Sequence, residues 1–222
     1  MIPPSQSLRD VRVLISAGPT FEDIDPVRFL GNRSSGKMGF ALAAAAVELG
    51  AKVTLVAGPS ALATPAGAQR IDVRRANEMR DAVLAALPQD VYIGAAAVAD
   101  YMPRHTADQK LKKTSAVLVL ELVRTPDILA EVAQHAPRPR LVVGFAAETE
   151  NLESNARGKL VDKHIDLIAA NQVGNTGSGF ESDDNALTVY WNGGEAQLGP
   201  ASKSRVAREL LELIAQRLER IA

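Results

Sequence analysis

The segment Gly31-Asn32-Arg33-Ser34-Ser35-Gly36-Lys37-Met38-Gly39 concentrates glycine, hydroxyl, amide and basic groups just ahead of an alanine-rich run. A loop of this kind entering a helix offers an anion the helix's free N–H groups, and its glycines allow close approach. The segment reads G-x-x-x-x-G-K, yet a P-loop follows Gly-Lys with Ser or Thr to hold magnesium and leaves directly from a strand. Here Met38 takes the hydroxyl's place and Asp25-Pro26-Val27-Arg28-Phe29-Leu30 intervenes, so a P-loop is excluded. A turn that merely caps a helix is the plain alternative, but capping alone does not call for Asn, two Ser, Lys and two further Gly.

Small residues also collect where strands should end: Ala17-Gly18-Pro19-Thr20, Ala57-Gly58-Pro59, Ala96-Ala97-Val98-Ala99-Asp100 and Gly144-Phe145-Ala146-Ala147-Glu148. In an open parallel sheet, ligands bind beyond the carboxyl ends of the strands. Tight helix packing explains any one of these segments equally well, whereas four together point to a site. A dinucleotide-dependent dehydrogenase would need G-x-G-x-x-G in the first turn and an acid after the second strand, and neither is present. Lys110-Leu111-Lys112-Lys113 reads either as solvated surface or as part of a site. Lys159 and Lys163, four apart, suit either a solvated stripe or a polyphosphate clamp. His105, His135 and His164 fall at no metal-ligand spacing, and neither Ser34 nor Ser35 has a histidine-acid partner pattern.

The elements that must position these groups alternate between short β-branched runs and longer helical patterns, the signature of a parallel sheet with crossover helices. Strands are expected at residues 11–16, 52–56, 71–73, 91–95, 116–123, 141–145 and 166–170, and a hairpin at 186–198 turns on Asn192-Gly193-Gly194. Helices are expected at residues 37–49 (closed by Gly50), 77–87 (capped by Asn77), after Thr125-Pro126-Asp127, at 151–163 and at 202–221. Residues 174–179 read as a glycine-rich loop, and residues 109–115 as a polar, mobile one. The expected class is thus α/β: a single Rossmann-like domain with a mostly parallel central sheet, helices on both faces, and a C-terminal hairpin plus helix. Residues 1–8 form a Pro/Ser-rich, linker-like segment and residues 9–222 the domain.

The chain has 222 residues, 25 basic and 26 acidic, so no global field recruits nucleic acid or a charged membrane, and anion recognition must be local. It has no cysteine, which removes disulfides, thiolate metal sites and a cysteine nucleophile. No apolar run approaches the roughly 20 residues of a membrane span, and residues 1–7 lack the features of a signal peptide. A cytoplasmic location is expected.

Taken together, Ala17-Gly18-Pro19-Thr20, Asp25-Pro26-Val27-Arg28, the N-x-S-S-G-x-M-G segment from Asn32, Ala95 to Tyr101, Lys110-Leu111-Lys112-Lys113 and Gly144 to Thr149 resemble the bacterial phosphopantothenoylcysteine synthetases, in the family's order. The resemblance implies a ligase that joins 4′-phosphopantothenate to cysteine in coenzyme A biosynthesis. By the same resemblance, CTP would be cleaved to CMP and pyrophosphate through an acyl-cytidylate, with Mg2+ as cofactor. It implies catalytic roles for Asn32, in turnover of the intermediate, and for Lys110, in its formation. Nucleotide contacts would fall on Gly94, Ala95, Ala96, Asp100, Lys110, Pro126, Asp127, Ile128, Leu129, Phe145, Lys159 and Lys163. Substrate contacts would fall on Arg28, Asn32, Ser34, Ser35 and Gly36, with Arg28 reaching the substrate phosphate across a homodimer interface. Native fusion to a flavin-dependent decarboxylase domain is also implied. Phe21 stands where the family commonly has a polar or basic residue. A non-catalytic nucleotide-binding regulatory module of the same fold is the competing expectation.

Overall fold

The computed structural model describes residues 6–113, 116–172 and 184–221. In chain order the elements are β1 (Arg12–Ala17), β2 (Phe21–Asp23), β3 (Phe29–Gly31), α1 (Lys37–Glu48), β4 (Lys52–Ala57), β5 (Ala68–Asp72), α2 (Ala76–Ala85) and β6 (Val91–Gly94). They continue with β7 (Tyr101–Pro103), β8 (Leu122–Arg124), α3 (Ile128–Ala133), β9 (Leu141–Glu148), α4 (Leu152–Asp162), β10 (Leu167–Gln172), β11 (Asp184–Trp191), β12 (Gly194–Ser202) and α5 (Lys203–Arg220).

Eight strands form one sheet in the order β12-β11-β10-β9-β6-β1-β4-β5. The run from β10 to β5 is parallel, and β11 and β12 add antiparallel pairs at one edge. Central strands buried on both faces need apolar side chains in both directions. In β1, Val13, Ile15 and Ala17 join the core beneath α1 and α5, while Leu14 faces the opposite core with Met79 and Val132. The α1–α5 layer draws on Phe40, Leu42, Leu49, Leu210 and Ile214; the other layer packs α2, α3 and α4. Short β2–β3 and β7–β8 pairs lie outside the main sheet. Among the described residues, no helix is long and apolar enough to cross a membrane.

This architecture matches the expected mostly parallel α/β sheet with helices on both faces and a terminal hairpin and helix, and it corrects several local expectations. The apolar run 116–123 is a strand only at its end, where β8 finds β7. Val117 and Val119 remain 70% and 84% exposed, because β-propensity without a neighbouring ladder does not make a strand. The third strand of the chain's parallel series begins at Ala68 and stops at Asp72. Asn77 does not cap α2: the helix starts one residue earlier, and the Glu78 carboxylate accepts from the backbone of Arg74 (2.9 Å) and Arg75 (3.3 Å). Leu8, assigned to the linker-like segment, is fully buried and its N–H reaches Leu49 O at 3.0 Å. The glycine-rich 174–179 stretch lies outside the described residues.

Candidate functional site

One cleft of about 790 Å³ opens along the carboxyl ends of β1, β6, β9 and β10, within the range of about 300–1,000 Å³ typical of small-molecule sites. Its floor includes Ser16, Tyr92, Gly94, Ala95, Ala96, Phe145 and Ile168. One wall is the loop into α1, and the other is the turn into α3 with the side chains of α4. At the floor, Ser16 Oγ lies 3.0 Å from Tyr92 Oη. Burial pushes the Tyr92 phenol up to about 12, so it stays protonated at any working pH.

The α1 wall depends on glycine. Gly36 sits before α1 with φ +79°, a left-handed conformation that a side chain would strain. A Cβ on Gly39 would come within 2.4 Å of Ala17 Cβ, so only glycine lets the helix start this close to the end of β1. The Ser34 hydroxyl accepts from Gly36 N at 3.3 Å, tying the loop to itself. Asn32 Nδ2 donates to Ala97 O (3.0 Å) and Val98 O (3.2 Å). Because both partners are carbonyls, the amide orientation is fixed, and the Asn32 oxygen is the atom left for a ligand.

The opposite wall is an apolar slot closed by charge. Leu129 seats against two glycines: a Cβ would fall 3.3 Å from its side chain at Gly94 and 2.7 Å at Gly144. Ile128 and Leu129 on this wall, with Phe145 and Ile168 on the floor, give that part of the cleft an apolar lining suited to a planar ring. Lys159 Nζ lies 2.6 Å from Glu148 Oε1, and Lys163 Nζ lies 2.7 Å from Asp127 Oδ2. Burial pushes the Glu148 carboxyl up, but its hydrogen bonds from Lys159 and Asn155 outweigh that and hold it below its ordinary value. Asp127 also caps α3, accepting from Ala130 N at 3.1 Å.

Of the residues expected from sequence, the cleft gathers Asn32, Ser34, Ser35, Gly36, Gly94, Ala95, Ala96, Asp100, Pro126, Asp127, Ile128, Leu129, Phe145, Lys159 and Lys163. Arg28 and Lys110 do not line it. Arg28 instead makes two side-chain bonds to the buried Asp25 and a third, at 3.1 Å, to Leu111 O. Leu111 N returns a bond to Asp25 Oδ2 at 3.1 Å, so the segment bearing the exposed Lys110 is fastened to the loop that carries Arg28. Hydrogen bonds from Arg28 above all, and from the backbone N–H groups of Val27, Leu111 and Arg28, hold the Asp25 carboxyl far below the usual carboxylate range.

Phe21 also stays out of the cleft, stacking on Phe29 with ring centroids 4.0 Å apart under the Arg74 guanidinium. The second strand's Ala57-Gly58-Pro59 contributes nothing to the lining: a Cβ on Gly58 would meet Pro19 O at 1.7 Å, so there the small residue serves packing. The cleft adds residues not singled out beforehand, among them Ser16, Tyr92, Asn171, Asn185 and Lys203. Asn171 was findable, since it directly follows a buried parallel strand. Asn185 and Lys203 reach the cleft only through the antiparallel edge, which leaves no strand-end motif.

The family model for the DNA/pantothenate metabolism flavoprotein C-terminal domain matches residues 8–218. The coenzyme A biosynthesis bifunctional protein CoaBC of Vibrio parahaemolyticus is 52% identical over 203 residues, covering 90% of this chain and 51% of that protein. The Escherichia coli protein of the same name is 46% identical over 220 residues, covering 97% of this chain and 54% of its own length. A crystal structure of the C-terminal domain of a CoaBC superposes with a TM-score of 0.83 at 42% identity, covering 97% of this chain and all (100%) of that one. The chain thus spans about half the length of the curated relatives it matches.

Proposed function

Since the chain belongs to the DNA/pantothenate metabolism flavoprotein C-terminal domain family, we propose that it is the phosphopantothenate–cysteine ligase of coenzyme A biosynthesis, using CTP. The observation that carries this reading is the single cleft that sets the Asn32 loop opposite an apolar slot flanked by Lys159 and Lys163.

In the first step a carboxylate oxygen of phosphopantothenate attacks the α-phosphorus of CTP; the P–O bond to the β-phosphate breaks and pyrophosphate leaves. The slot of Ile128, Leu129 and Phe145 takes the base, and Lys159 and Lys163 exchange their carboxylate partners for phosphate. Lys110, on its fastened segment, neutralises charge developing on the phosphates. Asp100 lines the cleft without an ion pair among the described residues and fits Mg2+, which takes one or two carboxylates and completes its shell with phosphate and water. When bound, that ion lowers the cost of charge on the phosphate oxygens.

In the second step the cysteine amine attacks the acyl carbon, the acyl–phosphate bond breaks, CMP leaves, and the nitrogen gives up a proton. The Asn32 nitrogen is occupied by Ala97 and Val98, so the remaining oxygen is an acceptor. It therefore orients the incoming N–H rather than polarising the acyl carbonyl. Arg28 would reach the substrate phosphate from the other protomer of a homodimer, which light scattering tests directly. The family relatives are named bifunctional, in keeping with native fusion to a flavin-dependent decarboxylase domain.

The test is pyrophosphate release from CTP, phosphopantothenate and Mg2+, with and without cysteine, for the wild type and Lys110→Gln. Release that depends on phosphopantothenate and Lys110, followed by CMP once cysteine is added, is expected. CTP binding with no pyrophosphate would make the chain a non-catalytic nucleotide-binding module instead.

A further inference from the structure

Lys203, the first residue of α5, is only 7% exposed yet lines the cleft. Lysine is among the side chains least often buried, and the steps above leave this one without a task. Two amides accompany it on the same wall. Asn171 lies at the end of β10, one residue past the Ala170–Thr188 pair, and Asn185 lies near the start of β11. Alternation puts the Asn171 side chain on the α1–α5 face with Ala169, and Asn185, beyond an irregularity in the β11–β12 pairing, reaches the same face through its contact with Met38 of α1. The Asn171 side chain makes no hydrogen bond within the described residues and faces the cleft. Asn185 Oδ1 accepts from Ala186 N at 3.0 Å, and among the described residues Nδ2 has only the Met38 thioether at 3.8 Å, a weak acceptor. Lys203, which also has a partner within the protein, thus lines the cleft together with these two amides on the α1–α5 side, opposite the α4 side that carries Lys159 and Lys163.

We propose that Lys203, Asn171 and Asn185 form a second anion-binding recess of the cleft, which holds a multi-oxygen anionic group of a substrate. In the proposed ligase, on which this inference rests, the phosphate of phosphopantothenate goes to Arg28 and its carboxylate to the reacting centre, which leaves two groups of that chemistry: the terminal phosphates of the nucleotide, which leave as pyrophosphate, and the α-carboxylate of the amino acid. Ile128, Leu129 and Lys159 belong to the other wall, whereas Phe145 packs on the α1–α5 face, so the recess adjoins the base site across the cleft floor.

The experiment compares wild type, Lys203→Gln, Lys203→Arg and Asn171→Ala. Separate KM values are measured for CTP and cysteine, and pyrophosphate is titrated onto the unliganded protein. Asn171→Ala removes an amide that bonds to no other described residue, so it keeps the test alive should Lys203→Gln fail to fold. Loss of a charge-assisted contact predicts an increase of about tenfold or more for one anion, with partial rescue in Lys203→Arg. A raised KM for CTP with weakened pyrophosphate binding assigns the recess to phosphate. A raised KM for cysteine alone assigns it to the carboxylate. Folded variants with every value within about twofold of wild type would overturn the proposal. A wild type without ligase turnover would remove the ligase reading but not this test: pyrophosphate and cysteine titrations would still support the recess if binding is lost in the variants, and refute it if unchanged.

Discussion

Two cations of the cleft, Lys159 and Lys163, are already neutralised, by Glu148 and Asp127 at 2.6 and 2.7 Å. A nucleotide must compete with these carboxylates. A partly exposed pair of this kind is worth about 0.2–1 kcal/mol, so Glu148→Gln should tighten CTP binding by up to about fivefold and steepen its salt dependence, measured by calorimetry at two salt concentrations. Weaker binding would mean that Glu148 aims Lys159 instead of restraining it. Asp25 acts in the opposite sense, as a fastener: it grips Arg28 and, through Leu111, the segment that carries Lys110. Its folded pKa is depressed, so its stabilisation is complete above the ordinary value of 3.8 and disappears as pH falls below it. Asp25→Asn should therefore flatten the acid limb of the stability–pH curve. At neutral pH it should slow pyrophosphate release more than it weakens CTP binding.

Glycine marks where elements touch and where they do not. Gly58 faces Pro19 O, a backbone atom that cannot step aside, at a hypothetical 1.7 Å. Gly58→Ala should cost at least about 3 kcal/mol by forcing apart the two loops that end β1 and β4. Gly158, exposed in the interior of α4, has nothing within 4 Å. Gly158→Ala should stabilise by about 0.8–1 kcal/mol through helix propensity alone. Chemical denaturation of both variants checks the pair, and equal effects would show that these contacts are misjudged. The run at 116–123 teaches the same lesson for strands: its apolar pattern called for a ladder, but of its residues only Leu122 and Val123 found one, against Pro103 and Met102.

At the scale of the molecule, α5 closes one core layer with Val206, Leu210, Leu211, Ile214 and Leu218 and delivers Lys203 to the cleft. Leu210→Ala should cost about 2–5 kcal/mol of global stability while leaving CTP affinity at temperatures below unfolding unchanged, because Leu210 is fully buried away from the cleft lining. The parallel sheet, its helices and the loop at Asn32 were legible in sequence, since periodicity, glycine spacing and strand-end composition are local properties of the chain. Of the four strand-end segments, two lie in the cleft, through Ala96 to Asp100 and Phe145 to Ala147, whereas Gly94 and Pro126 to Leu129 were expected only from the resemblance. Local pattern did not show that Gly58 packs while Gly36 and Gly39 line the cleft, or that Arg28 turns to Asp25. Nor did it show that Asn185 and Lys203 face the cleft from an antiparallel edge. Those facts depend on which strands become neighbours and at what register, and only the packed sheet fixes them: residues as far apart as Asn32 and Lys203 share one wall because β1 and β12 end on the same side of it.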